Sequence, residues 1–210
     1  RSMDENDPLQ SFRKHFFIKE EGVIYLDGNS LGRLPVKSYG KLERAIEHEW
    51  GTRLIRSWNE GWYSLAEDTA KSLAEIIGCE GDEVTVADST TLNLYKLAYA
   101  ALKLNHGRKK IVSDVFNFPT DLYAIQGIIH QLDAGHRLEL IPSGDDIHIE
   151  PDHILETIDE ETALVVLSLV SYKSAFLYDM EAVTEAAHKK GALIIWDLSH
   201  AAGAVPVDLK

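Results

Sequence analysis

Cysteine, basic charge and long apolar runs are all scarce in this sequence. The single cysteine, Cys79, excludes an internal disulfide and suits a reducing compartment. Lysine and arginine number 21 against 34 aspartates and glutamates, and the net charge of −13 argues against nucleic acid, whose phosphates need basic patches. No apolar run approaches the ~20 residues of a membrane-spanning helix. We therefore expect a globular protein that binds neither nucleic acids nor membranes.

Several sequence motifs of common functional sites are also absent from the 210 residues. There is no GxxxxGK[ST] phosphate loop, no GxGxxG dinucleotide fingerprint, and no GxSxG, HExxH or CxxC. We therefore expect no metal site, and any ligand site has to be inferred from the order of the helices and strands.

Helix and strand patterns alternate along most of the chain. The strands at 163–170 and 192–197 are almost wholly apolar, as in parallel sheets that are covered on both faces. We predict an α/β fold, a mainly parallel sheet with helices on both faces. The predicted strands are 83–87, 110–114, 136–142, 162–170 and 192–197, and the predicted helices are 36–50, 61–78, 89–105, 121–133, 151–158 and 179–191.

Polar and aromatic residues follow four of the predicted strands, where the ligands of such sheets bind. These segments are 89–91, 118–121, 168–174 and 197–200. The first has three hydroxyl residues at a helix start, which can cap the helix or cradle a phosphate. In the second segment, the aromatic ring can belong to the core or lie on a flat ligand, and the acid can simply cap a helix.

Asp197 closes the last apolar strand in the stretch ALIIWDLSHAAG. An ionised carboxylate there is costly unless a cation or a proton meets it. Its partner can be a metal ion, a lysine or arginine, or the protonated ring nitrogen of a pyridine cofactor. Pyridoxal phosphate (PLP) would use this carboxylate, a phosphate cradle and a stacking aromatic ring together, so PLP accounts for three features at once.

Four segments, YLDGNSLGRLP, DSTTLNLYK, FPTD and WDLSHAAG, resemble in order and spacing the kynureninases, which are PLP enzymes of the aminotransferase class V, fold-type I group. DLSHAAG is similar to a motif of cysteine desulfurases and related lyases too, whereas LDGNSLG together with FPTD is more specific. The resemblance implies a PLP-dependent transferase-like large domain over 36–210, preceded by an N-terminal arm and substrate-side loop over 1–35.

The resemblance also implies an activity. Kynureninases hydrolyse L-kynurenine, or 3-hydroxykynurenine, to anthranilate, or 3-hydroxyanthranilate, and L-alanine. The expected setting is tryptophan catabolism by the kynurenine pathway and NAD biosynthesis, with a homodimer in the cytoplasm and a small amino acid as substrate. Two alternatives remain open, a PLP enzyme like the cysteine desulfurases or selenocysteine lyases, and a non-catalytic fragment that binds a partner or a small anion.

The same resemblance implies roles for particular residues. Asp197 and His200 are implied in catalysis, and Asn29 and Ser30 lie in the substrate-side loop. The implied cofactor contacts are Thr90 and Thr91 at the phosphate, Phe118 stacked on the ring, Asp121 closing the FPTD motif, Ser168 after a strand, Asp197 at the ring nitrogen and His200 beside it.

The family carries its cofactor on the lysine of a Tyr-Lys pair that follows the Asp-x-x-His motif. No such pair lies between Asp197 and Lys210. We therefore expect the large domain to be incomplete at its C-terminus and the chain to be inactive alone. Trp50, Trp58 and Trp62 can pack between helices or form a wall for the substrate's aryl ring.

Overall fold

Two compact units make up the chain, residues 1–66 and residues 67–210. The computed structural model describes residues 2–20, 22–28 and 30–210. Within these ranges, no helix is long and apolar enough to cross a membrane. The border expected at residue 35, between an N-terminal arm and the large domain, stays a prediction.

Short helices build the first unit. Helix α1 spans Ser2–Glu5, a 3-10 helix spans Gln10–His15 and α2 spans Val36–Arg44. The helix predicted over 36–50 changes type after α2, continuing as a π-helix over Ala45–Arg53 and a 3-10 helix over Leu54–Trp58. The change coincides with backbone strain, because Leu54 takes a φ of 55°, which a bulky residue rarely adopts.

Two of the three clustered tryptophans of this unit contact each other. The rings of Trp58 and Trp62 pack edge to face with their centroids 5.5 Å apart, and Trp62 Nε1 donates to Glu49 Oε2 at 2.8 Å. Trp50 remains 66% exposed. Packing within the unit thus accounts for Trp58 and Trp62 but not for Trp50.

The second unit is centred on four parallel strands, which confirms the predicted parallel sheet. The spatial order is β2-β1-β3-β4, so β3 pairs with β1 rather than with the strand before it in sequence. The register places Ser168 beside Asp197 at the ends of β3 and β4. The strands are β1 (Lys110–Asp114), β2 (Arg137–Ile141), β3 (Thr162–Ser168) and β4 (Leu193–Asp197).

Helices cover both faces of the sheet, as predicted. Alternate residues of each strand point to opposite faces, so Leu164 and Val166 of β3 pack in one apolar cluster with residues of α4 and α5, whereas Val165 and Leu167 pack with α6 and α7 in the other. The helices of this part are α3 (Leu65–Ile77), α4 (Thr90–Leu104), α5 (Pro119–Leu132), α6 (Pro151–Thr157) and α7 (Met180–Lys189).

The strand predicted over 83–87 is wrong. After a 3-10 helix at Gly81–Glu83, the backbone of Val84 is extended, but 84–87 pairs with no strand of the described chain. A strand is defined by hydrogen bonds to a neighbour, and here the carbonyl of Ala87 instead accepts a hydrogen bond from the side chain of Asn93 at 2.8 Å. The segment therefore serves as the approach to α4.

Removing a side chain from the centre of the sheet tests this architecture. Leu164 is fully buried, and we expect Leu164→Ala to lower the free energy of unfolding by about 2–5 kcal/mol, because it leaves a cavity between β3 and the helices. Urea unfolding measures the loss. The matched control, Leu104→Ala, removes the same atoms from a residue that is 77% exposed and should stay within about 0.5 kcal/mol of wild type. Equal losses would contradict the described core.

Candidate active site

Helix α4 begins where the predicted phosphate cradle lies. Ser89 is its N-cap residue, and Ser89 Oγ accepts a hydrogen bond from the backbone N–H of Leu92 at 3.4 Å. Thr90 and Thr91 are the first two residues of the helix. Since Ser89 supplies the cap, capping does not occupy the two threonine hydroxyls.

Helix α5 follows β1 and begins near the carboxyl end of that strand. Phe118 is its N-cap residue, Pro119 its first residue, and Asp121 lies in its first turn with its N–H donating to the Phe118 carbonyl at 2.9 Å. The Phe118 ring packs edge to face on Tyr172 with the centroids 5.2 Å apart. Asp121 is only 1% exposed, and its Oδ2 atom has no hydrogen-bond partner among the residues that the structure describes.

Asp197 is held by the turn that follows β4. Its Oδ1 atom accepts hydrogen bonds from the backbone N–H of Ser199 at 2.7 Å and from Ser199 Oγ at 2.6 Å. Over the ranges that the structure describes, no lysine or arginine forms an ion pair with Asp197, and no group of three histidine, cysteine, aspartate or glutamate side chains is placed to hold a metal ion. Neither a structural ion pair nor a metal site of that kind accounts for this carboxylate.

One cavity of about 480 Å³ joins these strand ends. Its polar lining includes Thr90, Asn93, Asp121, Asp197 and Ser199. Most of the remaining wall is apolar and comes from α3, α4, β4 and the turn after β4. A mainly apolar cavity with a few convergent polar groups is typical of a site for a small organic ligand.

Two carboxyl groups meet in this cavity, and none of its described lining residues is a lysine, arginine or histidine. Burial and the neighbouring carboxylate of Asp197 together raise the pKa of Asp121 to about 6. Asp121 can share a hydrogen bond with Asp197 only when one of the two is protonated, because ionised carboxylates only accept. The cavity therefore favours an incoming proton donor or positive charge.

The structure brings together three of the predicted site residues, Thr90, Asp121 and Asp197, around the cavity. Phe118 and Ser168 lie near the same strand ends but contact other residues, Phe118 the ring of Tyr172 and Ser168 the amide of Asn117, whose Oδ1 atom is 2.8 Å from Ser168 Oγ.

The other predicted residues are placed as follows. Thr91 is exposed on the first turn of α4, and His200 has a buried Nδ1 atom without a partner. Ser30 lies in the first unit, where its hydroxyl donates to Asp27 Oδ1 at 2.8 Å. Asn29 lies outside the described residues.

Sequence reasoning missed three polar residues of this region, Asn93, Asn117 and Ser199. Ser199 had a local signal, because an aspartate side chain often accepts a hydrogen bond from the backbone N–H two residues further on. Asn93 donates a hydrogen bond to the Ala87 carbonyl, before α4, and Asn117 forms hydrogen bonds with two residues of β3. No sequence motif indicates these bonds.

The raised pKa of Asp121 predicts a pH-dependent effect of the change Asp121→Asn. Because the folded-state pKa lies above the ordinary value of 3.8, the proton stabilises the folded protein, and this stabilisation is lost as pH rises through about 6. Asparagine is neutral at every pH. We expect the variant to gain on the order of 1 kcal/mol relative to wild type between pH 5 and pH 7, measured by urea unfolding without cofactor.

Asp159→Asn serves as the control for this experiment. Burial raises the pKa of Asp159, but hydrogen bonds from Lys110 Nζ and the Glu161 backbone N–H outweigh burial and hold this pKa below its ordinary value of 3.8, so Asp159 stays ionised from pH 5 to pH 7. Its replacement should shift the free energy of unfolding equally at both pH values. A pH-independent effect of Asp121→Asn would refute the raised pKa of Asp121 and with it the buried position of this carboxyl group beside Asp197.

The fold and cavity together define an α/β protein with a small-molecule site at the carboxyl ends of parallel strands. Residues 24–210 match the family model described as Aminotransferase class-V, and the chain belongs to this family. It is 45% identical to a kynureninase of Pseudomonas fluorescens and 44% identical to one of Burkholderia mallei strain SAVP1, each over 99% of this chain. The chain spans 49% of each of these relatives, about half their length.

Solved structures show the same fold at low sequence identity. A mutant of C-DES with glycine covalently linked to the PLP cofactor has a TM-score of 0.72 and 14% identity, covering 90% of this chain and 50% of its own. A NifS-like protein has a TM-score of 0.72 and 17% identity, with coverages of 89% and 51%. These likenesses support a fold-type I architecture for the chain.

Proposed function

We propose that these residues are part of a kynureninase, a PLP-dependent hydrolase that cleaves L-kynurenine or 3-hydroxykynurenine into an anthranilate and L-alanine. The observation that carries the proposal is the pair of carboxyl groups, Asp121 and Asp197, that face each other in a mainly apolar cavity without a cation. The likeness to kynureninases over 99% of the chain supports the choice of substrate.

The residues of the cavity fit PLP. The buried Oδ2 atom of Asp121 lacks a donor, and a protonated pyridine nitrogen offers both a donor and a positive charge to the carboxyl pair. At another wall of the cavity, Thr90 sits at the N-terminus of α4, where free N–H groups and the helix dipole favour a phosphate. When bound, PLP supplies the electron sink for bond cleavage at an amino acid substrate.

Each residue then has a defined task. Asp197, oriented by two hydrogen bonds from Ser199, keeps a proton on the ring nitrogen. Asp121 adds negative charge at the same place, and the apolar walls limit water, which strengthens these charge interactions. Thr90 binds the phosphate, with Thr91 beside it in sequence.

The remaining predicted roles are part of the proposal. Phe118 stacks on the cofactor ring, Ser168 and His200 border the cofactor, and Asn29 and Ser30 serve the substrate. The cofactor-bearing lysine comes from outside residues 1–210, so this part of the chain is inactive alone. A cytoplasmic homodimer that acts in tryptophan catabolism and NAD biosynthesis completes the proposal.

A substrate panel with the full-length protein tests this function. After PLP loading, we expect anthranilate from L-kynurenine or 3-hydroxyanthranilate from 3-hydroxykynurenine, followed by absorbance and fluorescence, and no sulfide from L-cysteine. Sulfide without either anthranilate would favour a desulfurase-like enzyme. A protein that takes up no PLP would favour the non-catalytic alternative.

The change Asp197→Asn tests the role of the strand-end carboxylate. We expect kcat/KM for kynurenine to fall about 100-fold or more, because the group that stabilises the protonated ring is lost. The control is Asp179→Asn at the N-cap of α7, where Asp179 Oδ1 accepts from the N–H of Ala182. This control should cost about 1 kcal/mol of stability or less and leave kcat/KM unchanged. Full activity of Asp197→Asn would disprove the assigned role.

A further inference from the structure

A buried amide connects the ends of β1 and β3 with the start of α5. Asn117 is 3% exposed, and its Nδ2 atom donates to Ser113 Oγ at 3.0 Å and to the Val166 carbonyl at 3.3 Å. Its Oδ1 atom accepts from Ser168 Oγ at 2.8 Å and from the backbone N–H of Phe118 at 2.8 Å. All four hydrogen-bonding positions of this amide are therefore used.

The network has a fixed direction. The Ser168 hydroxyl donates a hydrogen bond to Asn117 Oδ1, and Asn117 Nδ2 donates one to Ser113 Oγ. The Ser113 hydroxyl in turn donates to the Val166 carbonyl at 2.7 Å. Because a hydroxyl has one proton to give, Ser168 cannot donate to a ligand while this bond exists. The buried and fully satisfied network holds one arrangement of its members.

The position of Asn117 in the chain gives the network a functional consequence. The next residue, Phe118, receives one of the four bonds at its backbone N–H and is followed by Pro119, the first residue of α5. Asp121 lies in the first turn of the same helix. The amide thus ties the segment that carries the proposed stacking ring and one of the two carboxyl groups to the end of β3, beside Asp197 of β4.

We infer that Asn117 is a positioning residue of the cofactor site. It sets the place of Phe118 and Asp121 relative to the strand ends, and Ser168 acts through Asn117 rather than as a direct donor to the cofactor. The inference rests on the proposed PLP site and deepens it by adding a residue that contacts neither the cofactor nor the substrate.

Substitution of Asn117 in the full-length protein tests the inference. Asn117→Ala removes all four bonds, and Asn117→Asp keeps the side-chain shape but has no N–H to donate to Ser113 and Val166. We expect both variants to bind PLP about tenfold more weakly or worse by equilibrium dialysis. We also expect a reduced induced circular dichroism of the bound PLP, because this signal reports the orientation of the ring.

The chain offers a matched control in Asn105, near the amino ends of β3 and β4 and thus at the end of these strands opposite to the site. Its Nδ2 atom donates to the carbonyls of Ala163 and Gly191 at 3.1 and 3.0 Å, so it also ties the end of a helix to a strand, β3, and to the turn before β4. Asn105→Ala should lower the melting temperature while the PLP dissociation constant and induced circular dichroism stay at wild-type values. Equal changes in Asn105→Ala and Asn117→Ala would overturn the positioning role, and so would wild-type binding and dichroism in both Asn117 variants.

Ser168→Ala keeps three of the four bonds of the Asn117 amide and therefore remains informative if the Asn117 variants do not fold. We expect weaker PLP binding together with altered induced dichroism, since the loosened amide shifts Phe118. Weaker binding with unaltered dichroism would identify Ser168 as a direct contact and overturn the inference. Failure of the wild-type protein itself to take up PLP would remove the proposed function, and the inference with it.

Discussion

The meeting of two acidic side chains in a mainly apolar cavity is the constraint on which the site depends. Asp121 comes from the first turn of α5 and Asp197 from the end of β4, and no lysine or arginine in the described ranges is paired with Asp197. Two like charges in a poorly solvated place repel each other strongly. The fold keeps them together because the helix and strand that carry them are fixed by two apolar clusters, one on each face of the sheet.

Different parts of the molecule contribute to stability and to the proposed function. The sheet contributes burial through residues such as Leu164 and Val165, which are fully enclosed. The carboxyl pair works against stability when both groups are ionised, which is typical of sites prepared for a charged ligand. Ser199 and Asn117 reconcile the two demands, because they fix Asp197 and the start of α5 with hydrogen bonds rather than with opposite charges that would neutralise the pair.

Much of the fold could be predicted from the sequence, because β3 and β4 are mainly apolar runs bounded by helical patterns, and the alternation of strand and helix patterns favours parallel pairing. The segment 83–87 shows the limit, since apolar alternation marks an extended chain but does not supply a neighbour. In the site, Asp121 and Asp197 were singled out because they follow strands, and Thr90 because it is one of three hydroxyl residues at a helix start. Asn117 was not singled out because two of its partners, Val166 and Ser168, are brought to it only by the pairing of β1 with β3.

The strand order β2-β1-β3-β4 has a consequence for how the protein folds. The bond from Ser113 to Val166 spans 53 positions of sequence, and β2, α6, β3 and α7 all lie between Asp121 and the strand that ends in Asp197. Pairing such distant segments closes long loops, which costs chain entropy before any burial rewards it. We therefore expect the two acids to meet only when β4 pairs with β3, after the local helical contacts have formed.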